Sequence, residues 1–347
     1  GAWRPYPMGQ NQRLSISAQT NGTYYKAFAI SFTDPWMGGR KPNSFTISAH
    51  YSDENNAYYA WQKGTRYFRT AGVAAGLGKR LDWPDPYFTF YAEASYERYM
   101  LKDWNTFVLK NGAANLLSIR LVLGRNSVDQ PIYPRRGSDF SVSVQLTPPY
   151  SLWDGKDYKS TALSEQERYN WIEFHKWMLK GQWFTPLTRN GNLVLMARAE
   201  MGYLGHYNKN KVSPFERFEV GGDGMTGYNM YGIDIISMRG YDDGALDPVG
   251  SNYSCAYNKY TMELRYPLLL KGQTNIYVLG FLEGGNGFTS WKEFSPFKIK
   301  RSAGIGVRLF LPVVGMVGVD WGWGFDPAAG QAQRSGSHIH FTMGMQF

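Results

Sequence analysis

Apolar and polar side chains alternate along much of the chain. In residues 138–147 the apolar side chains occupy every second position, namely Phe140, Val142, Val144 and Leu146. The same period of two recurs in 43–51, in 258–266 and in 337–347. Because successive side chains of a β-strand point to opposite faces, the pattern predicts strands with one apolar face and one polar face.

The alternation predicts about fourteen strands. They lie at roughly 12–21, 24–34, 43–53, 64–79, 86–100, 113–125, 138–148, 168–184, 192–207, 258–270, 273–288, 298–311, 314–325 and 337–347. Many of these segments are long for a soluble strand but suit a strand that crosses a bilayer at a tilt. Short turns, such as Asn21-Gly22, alternate with long connections, the longest at 208–257. This arrangement indicates an all-β fold, an antiparallel transmembrane β-barrel with turns on one side and loops on the other.

A soluble β-sandwich would show the same alternation, with its polar face in water. Strand length favours the membrane barrel, and so do aromatic side chains near strand ends, as an interfacial belt requires. These aromatic pairs are Tyr58-Tyr59, Tyr87-Phe88 and Trp321 with Trp323, and the last predicted strand runs to Phe347. One segment differs, because Ser164 and Glu167 have the spacing of a capping box and predict a helical turn before the strand at 168.

Composition supports the all-β class. The chain has 347 residues, of which 16% are aromatic, 39 are glycine, 17 are proline and only 19% are charged residues. Such a balance suits strands and turns rather than a helical bundle. The net charge is +9, but the lysines and arginines are scattered without a basic block. A solvated rim or lumen is therefore favoured over a surface that binds nucleic acid.

The sequence offers no pattern of residues for catalysis or metal binding. Its single cysteine, Cys255, permits no internal disulfide and is interpreted as an unpaired loop thiol. The five histidines lack a Ser/Asp partner at a recognisable spacing. His338 and His340 share the predicted lumen face, where polar filling is favoured over a metal pair. We therefore expect no enzyme activity, no cofactor and no metal ion.

The longest loop resembles that of a known family. Its segment SPFERFEVGGDGMTGYNMYGIDIISMRGYDDG, residues 213–244, is similar to the sixth extracellular loop of BamA-type outer-membrane protein insertases. The superfamily also includes TamA and two-partner secretion transporters. Met238-Arg239-Gly240-Tyr241 stands where the family has a Val-Arg-Gly-Phe tip. In GFLEGGNGF, residues 280–288, Phe281 and Glu283 stand in the family's Phe-x-Asp-x-Gly strand, with glutamate replacing aspartate.

Further segments carry the likeness over nearly the whole chain; they are 32–45, 133–142 and 302–312. The resemblance implies that residues 1–347 are a single outer-membrane β-barrel domain, in which 208–257 is an extracellular loop that folds back into the lumen. The family barrel has sixteen strands preceded by periplasmic POTRA domains, and 12–21 resembles the third family strand. We therefore expect the POTRA domains and the first two strands to be absent from this chain. The alternative is a complete, smaller barrel of fourteen strands.

The resemblance also implies a loop anchor inside the barrel, formed by Arg239, Gly240, Tyr241, Phe281 and Glu283. In this arrangement Glu283 pairs with the guanidinium, Phe281 offers its ring from the same face, and Gly240 permits a close backbone approach. The alternative is a loop arginine in solvent. The nearby acids Asp242, Asp243 and Asp247 lack the spacing of an EF-hand, and they are interpreted as turn residues rather than calcium ligands.

The family function is the first hypothesis: the barrel folds and inserts other β-barrel proteins into the bacterial outer membrane. This requires a strand edge, which a closed barrel lacks, and the family provides a weak seam at the last strand. The expected seam residues are Phe341, Gly344 and Phe347, with Gly344 either permitting a kink or filling the lumen as a small residue. The implied partners are unfolded outer-membrane proteins as clients, accessory lipoproteins and the lipid bilayer, but not nucleic acid.

Two other classes of function remain open from the residues alone. The first is a passive porin or a two-partner secretion transporter barrel, which the loop motif does not exclude. The second is a barrel enzyme, such as an outer-membrane protease or phospholipase, which the missing catalytic motifs disfavour.

Overall fold

The computed structural model describes residues 11–37, 43–57, 63–225, 232–251, 253–271, 274–312 and 315–344. Within these residues the strands are β1 Arg13–Asn21, β2 Tyr25–Asp34, β3 Asn43–Asn55, β4 Tyr67–Arg80, β5 Phe88–Lys102, β6 Gly112–Asn126, β7 Gly137–Leu146, β8 His175–Pro186, β9 Val194–Gly205, β10 Phe218–Val220, β11 Asp234–Ile236, β12 Ala256–Lys271, β13 Thr274–Phe288, β14 Lys300–Leu311, β15 Gly315–Pro327 and β16 Arg334–Met343. Short helices lie at α1 Glu165–Tyr169 and at the 3-10 turns Tyr150–Leu152 and Trp291–Glu293.

Fourteen of the described strands form one antiparallel sheet in sequence order. β10 and β11 are left out of it, because they pair with each other in parallel within the longest loop. The all-β fold class and the number of long strands are therefore confirmed. No helix in the described part of the chain is long and apolar enough to cross a membrane.

The strand predicted to begin at residue 168 begins at His175 instead. The predicted helical turn is present and is longer than expected: the side chain of Ser164 accepts from the amide of Glu167, whose carboxylate accepts from the amide of Ser164. This capping box starts α1, which continues to Tyr169 and occupies the first residues of the predicted strand.

The two faces of the sheet differ as the alternation predicts. On β12, Met262 and Leu264 are exposed, whereas Glu263 and Arg265 are buried. On β16, Phe341 is exposed and His340 is buried. We call the face with exposed apolar side chains the outer face and the opposite one the inner face. Exposed apolar side chains along long strands are typical of a lipid-facing surface.

The expected aromatic pairs have different outcomes. Tyr87 immediately precedes β5, as expected for a strand end. Trp321 and Trp323 lie within β15 on its outer face, because the strand continues to Pro327, so their placement at a strand end was wrong. Tyr58-Tyr59 lie outside the described residues.

One compact unit consists of Gly1–Leu123, Ser143–Lys176 and Gly205–Pro214. The predicted tight turn at Asn21-Gly22 is confirmed, since β1 and β2 stay paired up to Asn21 and Tyr25, and Gly22 has a φ of +60°. An aromatic cluster surrounds Phe68, whose ring centroid lies 5.8–6.1 Å from those of Tyr99, Trp104 and Phe107.

The long connection after β7 is held by a buried ion pair within this unit. The Lys211 ammonium group lies 3.5 Å from the Glu173 carboxylate and donates to the Tyr158 hydroxyl at 3.2 Å. The amide of Ser151 donates to the same carboxylate at 2.7 Å. Burial lowers the pKa of Lys211, and the two acids Glu173 and Asp154 oppose that change. The cluster ties this connection to the segment before Pro214.

The second unit consists of Gly124–Val142, Trp177–Leu204 and Phe215–Phe347. An apolar cluster on the inner face of this unit contains Tyr133, Phe184, Val194, Met196, Tyr277, Leu279, Phe281 and Met316. Cys255, predicted to be an unpaired loop thiol, is a free and buried cysteine directly before β12.

We expect an arginine to be tolerated on the inner face but not on the outer face of β4. Val73 is 55% exposed on the outer face, and Ala74 follows it on the inner face opposite Ser48 and Ser95. Near the middle of a membrane-spanning strand, Val73→Arg is expected to cost about 2–4 kcal/mol, and Ala74→Arg clearly less, because its charge would not enter lipid. Urea unfolding in lipid vesicles measures both, and equal costs would contradict a lipid-facing surface.

Candidate functional site

The longest loop is fastened at its base in the second unit. β10 pairs with β11, and Phe218 at the start of β10 also forms a bridge to Ser254, two residues before β12. The ring of Phe218 packs edge-on against that of Tyr257, with centroids 4.8 Å apart and both residues fully buried. The base of the loop, where the chain leaves and rejoins the sheet, is therefore packed and hydrogen-bonded.

The tip of this loop is a tight turn held by the paired glycines. The amide of Met238 donates to the carbonyl of Gly222, whose own amide donates to the carbonyl of Tyr241. Gly221, Gly222 and Gly240 have φ values of +139°, +72° and +85°, in the region that favours glycine. The turn buries Met238 and Tyr241 completely and directs the side chain between them onto the inner face.

That side chain, Arg239, meets the two residues expected for it. Its Nη2 and Nε donate to Oε1 of Glu283 at 2.7 and 3.1 Å, and its backbone amide donates to Oε2 at 2.9 Å. Its guanidinium carbon lies 3.7 Å from the centroid of the Phe281 ring. Arg239 is 7% exposed and Glu283 is 6% exposed, so both charges are removed from water. The structure therefore brings Arg239, Phe281 and Glu283 together.

Gly240 and Tyr241 complete the contact with the wall. The Tyr241 hydroxyl donates to the carbonyl of Arg301 at 2.9 Å. A Cβ placed on Gly322 of β15 would lie 2.7 Å from the amide nitrogen of Gly240, and one on Gly324 would collide with the Gly240 carbonyl oxygen. The tip thus lies backbone to backbone on a glycine stretch of β15. Sequence reasoning assigned close approach to Gly240 alone and missed the alternate glycines of GVDWGWG opposite it.

Two more carboxylates share the arginine, and sequence reasoning missed both. Oε1 of Glu263 accepts from Nη2 of Arg239 at 2.7 Å, as close as Glu283, and Oδ2 of Asp320 lies 3.5 Å from Nη1. Each carboxylate is bonded to a second arginine: Glu263 to Arg265 at 2.7 Å, and Asp320 to Arg308 at 2.7 Å. These cations balance the extra negative charge. Alternation placed Glu263 on the inner face, but nothing in the sequence showed that β12 pairs with β13 in a register that brings Glu263 close to Glu283.

Both histidines of β16 contact the tip. Nε2 of His340 accepts a hydrogen bond from the amide of Gly240 at 2.8 Å. Nδ1 of His338 lies 3.1 Å from the carboxylate of Asp242. Their predicted role was polar filling of the lumen, which did not include a contact with the loop. Among the described residues no group of three or more His, Cys, Asp or Glu side chains is placed to hold a metal ion.

The expected seam residues lie at the end of β16. Phe341 is on the outer face and is exposed. Gly344 directly follows β16, which ends at Met343, and has a φ of +100°. Its amide still donates to the carbonyl of Met316 at 2.9 Å. Phe347 lies outside the described residues.

A buried carboxylate lies beside the tip in the same loop. Oδ1 of Asp247 accepts from the amide of Val220 at 3.2 Å and from the Ser254 hydroxyl at 2.5 Å. Its Oδ2 is buried and has no hydrogen-bond partner. Burial raises the pKa of Asp247 to about 7, against the lowering effect of these hydrogen bonds. The expectation of a turn residue underestimated its burial.

We expect the Asp247→Asn variant to lose part of the pH dependence of stability. In the folded chain Asp247 keeps its proton up to about pH 7, whereas the unfolded chain releases it near its ordinary value of 3.8. Stability from this group is therefore present below pH 4 and is lost as the pH rises through about 7. Asparagine retains the accepting Oδ1, so its unfolding free energy should fall less between pH 5 and pH 8 than that of the wild type, by an amount on the order of 1–3 kcal/mol. Parallel pH profiles in urea unfolding would contradict this.

Known proteins share this fold. A family model described as the Omp85 superfamily domain matches residues 8–347. The outer membrane protein assembly factor BamA of Neisseria meningitidis serogroup B is 23% identical over 258 residues, which are 69% of this chain and 27% of that protein. This chain thus spans about a quarter of the length of that relative.

Solved structures give the architecture. BamA from Haemophilus ducreyi lacking POTRA domains 1-3 matches with a TM-score of 0.66 and 17% identity over 96% of this chain and 63% of that chain. CdiB from Escherichia coli matches with a TM-score of 0.54 and 12% identity over 91% of this chain and 52% of that chain. At these identities the likeness shows the fold alone, and it confirms the transmembrane β-barrel. Because the family model covers the described loop, its anchor and the whole sheet, the chain belongs to the Omp85 superfamily.

Proposed function

We propose that this chain is the barrel of an assembly factor that folds and inserts β-barrel proteins into the bacterial outer membrane. The observation that carries the proposal is the likeness to BamA, both in sequence and in fold, with the loop tip docked on the inner face. The implied clients are unfolded outer-membrane proteins, and accessory lipoproteins and the lipid bilayer are the other partners. No chemical step, cofactor, metal ion or nucleic acid is part of the proposal.

The proposed insertion takes place at β16. This strand stands last in the sheet order, next to β15, and carries exposed Ile339, Phe341 and Met343 on its outer face. A client strand that pairs with the backbone of β16 would gain a ladder of hydrogen bonds, and its own apolar side chains would meet lipid beside these three. Gly344, in a conformation that other residues rarely adopt, supports a change of chain direction just beyond the strand.

A two-partner secretion transporter is the second candidate. The CdiB structures from Escherichia coli and Acinetobacter baumannii match with TM-scores of 0.54 and 0.52, so the fold is not restricted to assembly factors. The two candidates differ in the route of the client, which passes along β16 into lipid in the first and through the lumen in the second. A passive porin would conduct ions without any client.

Folding of a client in vesicles tests the proposal. Vesicles that contain the chain are mixed with a urea-denatured outer-membrane β-barrel protein, and its folded fraction is followed by electrophoresis without heating. We expect folding to be several-fold faster than in empty vesicles. Unchanged folding, together with release of an unfolded protein into the vesicle interior, would favour the transporter, and ion conductance alone would favour the porin.

Photo-crosslinking locates the client. A photoreactive phenylalanine analogue replaces Phe341 on β16, and the matched control carries it at Ile305 on β14; the two native side chains are 56% and 63% exposed on the same outer face. We expect a client arrested during folding to be captured at position 341 and not at 305. Equal capture at both positions would indicate contact through lipid only and would contradict insertion at β16.

A further inference from the structure

The last strand has a direct contact with the loop tip that differs from the arginine anchor. The carboxylates around Arg239 belong to β12, β13 and β15, whereas the amide of Gly240 is bonded to β16 through the imidazole of His340. The Gly240 amide is the donor and Nε2 is the acceptor, at 2.8 Å. His338, two residues earlier, lies beside Asp242 at the far side of the same turn. β16 is therefore held at the tip by two histidines.

The contact requires one protonation state of the imidazole. A ring nitrogen that accepts a hydrogen bond carries no proton, so His340 is neutral at Nε2 when the tip is docked. A proton on this nitrogen removes the acceptor and opposes the Gly240 amide with a second donor. Histidine is the side chain that ordinarily makes this change between about pH 5 and 8.

The charges around His340 do not offset an added proton. His340 lines a small cavity of about 60 Å³ together with Arg239 of the tip and inner-face side chains of neighbouring strands. Its acids are Asp223, Glu263, Glu283 and Asp320, and Asp243 acts on His340 from the loop. Its cations are Arg198, Arg239, Lys259, Arg265 and Arg308. The five acids are thus matched by five cations, and most of the acids are already paired to arginine. A protonated His340 would be an additional cation near Arg239.

We propose that His340 is a positioning residue that, in its neutral form, ties the backbone of the loop tip to the last strand and releases it on taking up a proton. Docking of the loop and the position of β16 are then coupled through this one hydrogen bond. The inference rests on the proposed function, in which β16 receives the client. It goes further by naming the hydrogen bond that couples β16 to the loop tip and by giving that bond a dependence on pH.

Tryptic cleavage at Arg239 reports docking without any client. The bond between Arg239 and Gly240 is buried when the tip is docked, and its cleavage separates residues 1–239 from 240–347. Rates in the folded chain are divided by those for the urea-denatured chain at the same pH, which removes the pH dependence of trypsin. Asp247 destabilises the folded loop as the pH rises, whereas His340 is proposed to release the tip as the pH falls. Every chain in the series therefore also carries Asp247→Asn, which removes the first effect.

The variants separate the acceptor from the bulk of the ring. Glutamine at 340 can accept from the Gly240 amide at any pH, whereas leucine fills space and accepts nothing. We expect His340 itself to give cleavage at least about 5-fold faster at pH 5.5 than at pH 8, His340→Gln to be slow at both, and His340→Leu to be fast at both. The matched control, His338→Gln, should keep the pH dependence.

Hydrogen exchange on the same chains tests the coupling to the strand. Exchange in β16, Arg334–Met343, should rise with tryptic cleavage, whereas exchange in β14, Lys300–Leu311, should not. The proposal is overturned if cleavage of His340→Gln retains the pH dependence, or if His340→Leu is cleaved as slowly at pH 8 as the parent chain. It is also overturned if hydrogen exchange in β16 does not follow the rate of cleavage. Failure of client folding with these results intact would reject the proposed function and leave the coupling in place.

Discussion

Replacing Arg239 by alanine is expected to destabilise the chain by about 3–5 kcal/mol, because removal of one partner from a buried ionic cluster leaves a buried charge undercompensated. Glu283 and Glu263 each accept from Nη2 of Arg239 at 2.7 Å, and Asp320 lies at 3.5 Å, all on the inner face. Arg265 and Arg308 continue to balance Glu263 and Asp320, so the loss falls mainly on Glu283, which keeps only the cation Lys259 at 3.8 Å. Urea unfolding of the chain in vesicles measures the change.

An exposed arginine pair provides the matched control. Arg301 forms hydrogen bonds to both carboxylate oxygens of Asp326 at 2.9 and 3.0 Å, but its side chain is 64% exposed. Because water screens such a pair, Arg301→Ala should leave the unfolding midpoint unchanged. An equal midpoint for Arg239→Ala and the wild type would contradict the anchor.

Lysine and a charge reversal refine the same test. Arg239→Lys should recover part of the loss, because lysine supplies the charge but cannot bridge Glu263 and Glu283 with a planar group. The swap Arg239→Glu with Glu283→Arg should recover little, since the new glutamate would face Glu263 and Asp320. Full recovery in the swap would show that Glu283 acts as the single partner.

The sequence predicts the strands and their faces well because both depend on local information. A period of two fixes which side chains share a face, so it placed Glu263 on the polar face of its strand and Phe281 on the same face as Glu283. That Glu283 points inward was implied by the family resemblance. Contact between Arg239 and Glu283 depended on the family resemblance, because they are 44 residues apart and no local rule connects a loop tip to a strand.

The missed contacts all depend on register between strands. Glu263 faces Arg239 because β12 pairs with β13 so that Thr261 stands opposite Glu283. Asp320 and His340 come level with the tip because β15 pairs residue 320 with residue 340. A shift of two residues in either pairing would keep every side chain on its face and still remove these contacts. Alternation does not distinguish these registers, which are determined by turn lengths and packing.

The wall glycines were missed for another reason. A glycine in a strand carries no side chain, so it adds nothing to the alternation and reads as a weak point. Here Gly322 and Gly324 follow Asp320 at two-residue intervals on the inner face, and the absence of a Cβ at each lets the tip reach the backbone of β15. The alternate glycines are thus a recognition surface for a loop of the same chain.

Replacing Gly322 by valine is therefore expected to undock the tip and to cost about 3–5 kcal/mol, since a branched side chain there would overlap the backbone of Gly240 and would separate Arg239 from its carboxylates as well. The matched control is Gly280→Val on β13, where an added Cβ would meet nothing nearer than 3.9 Å. Cleavage at Arg239 and urea unfolding report docking and stability together. We expect rapid cleavage and a lower unfolding midpoint for Gly322→Val only. Slow cleavage at Arg239 in Gly322→Val would show that β15 shifts to accommodate the valine. The glycine surface would then not be required for docking.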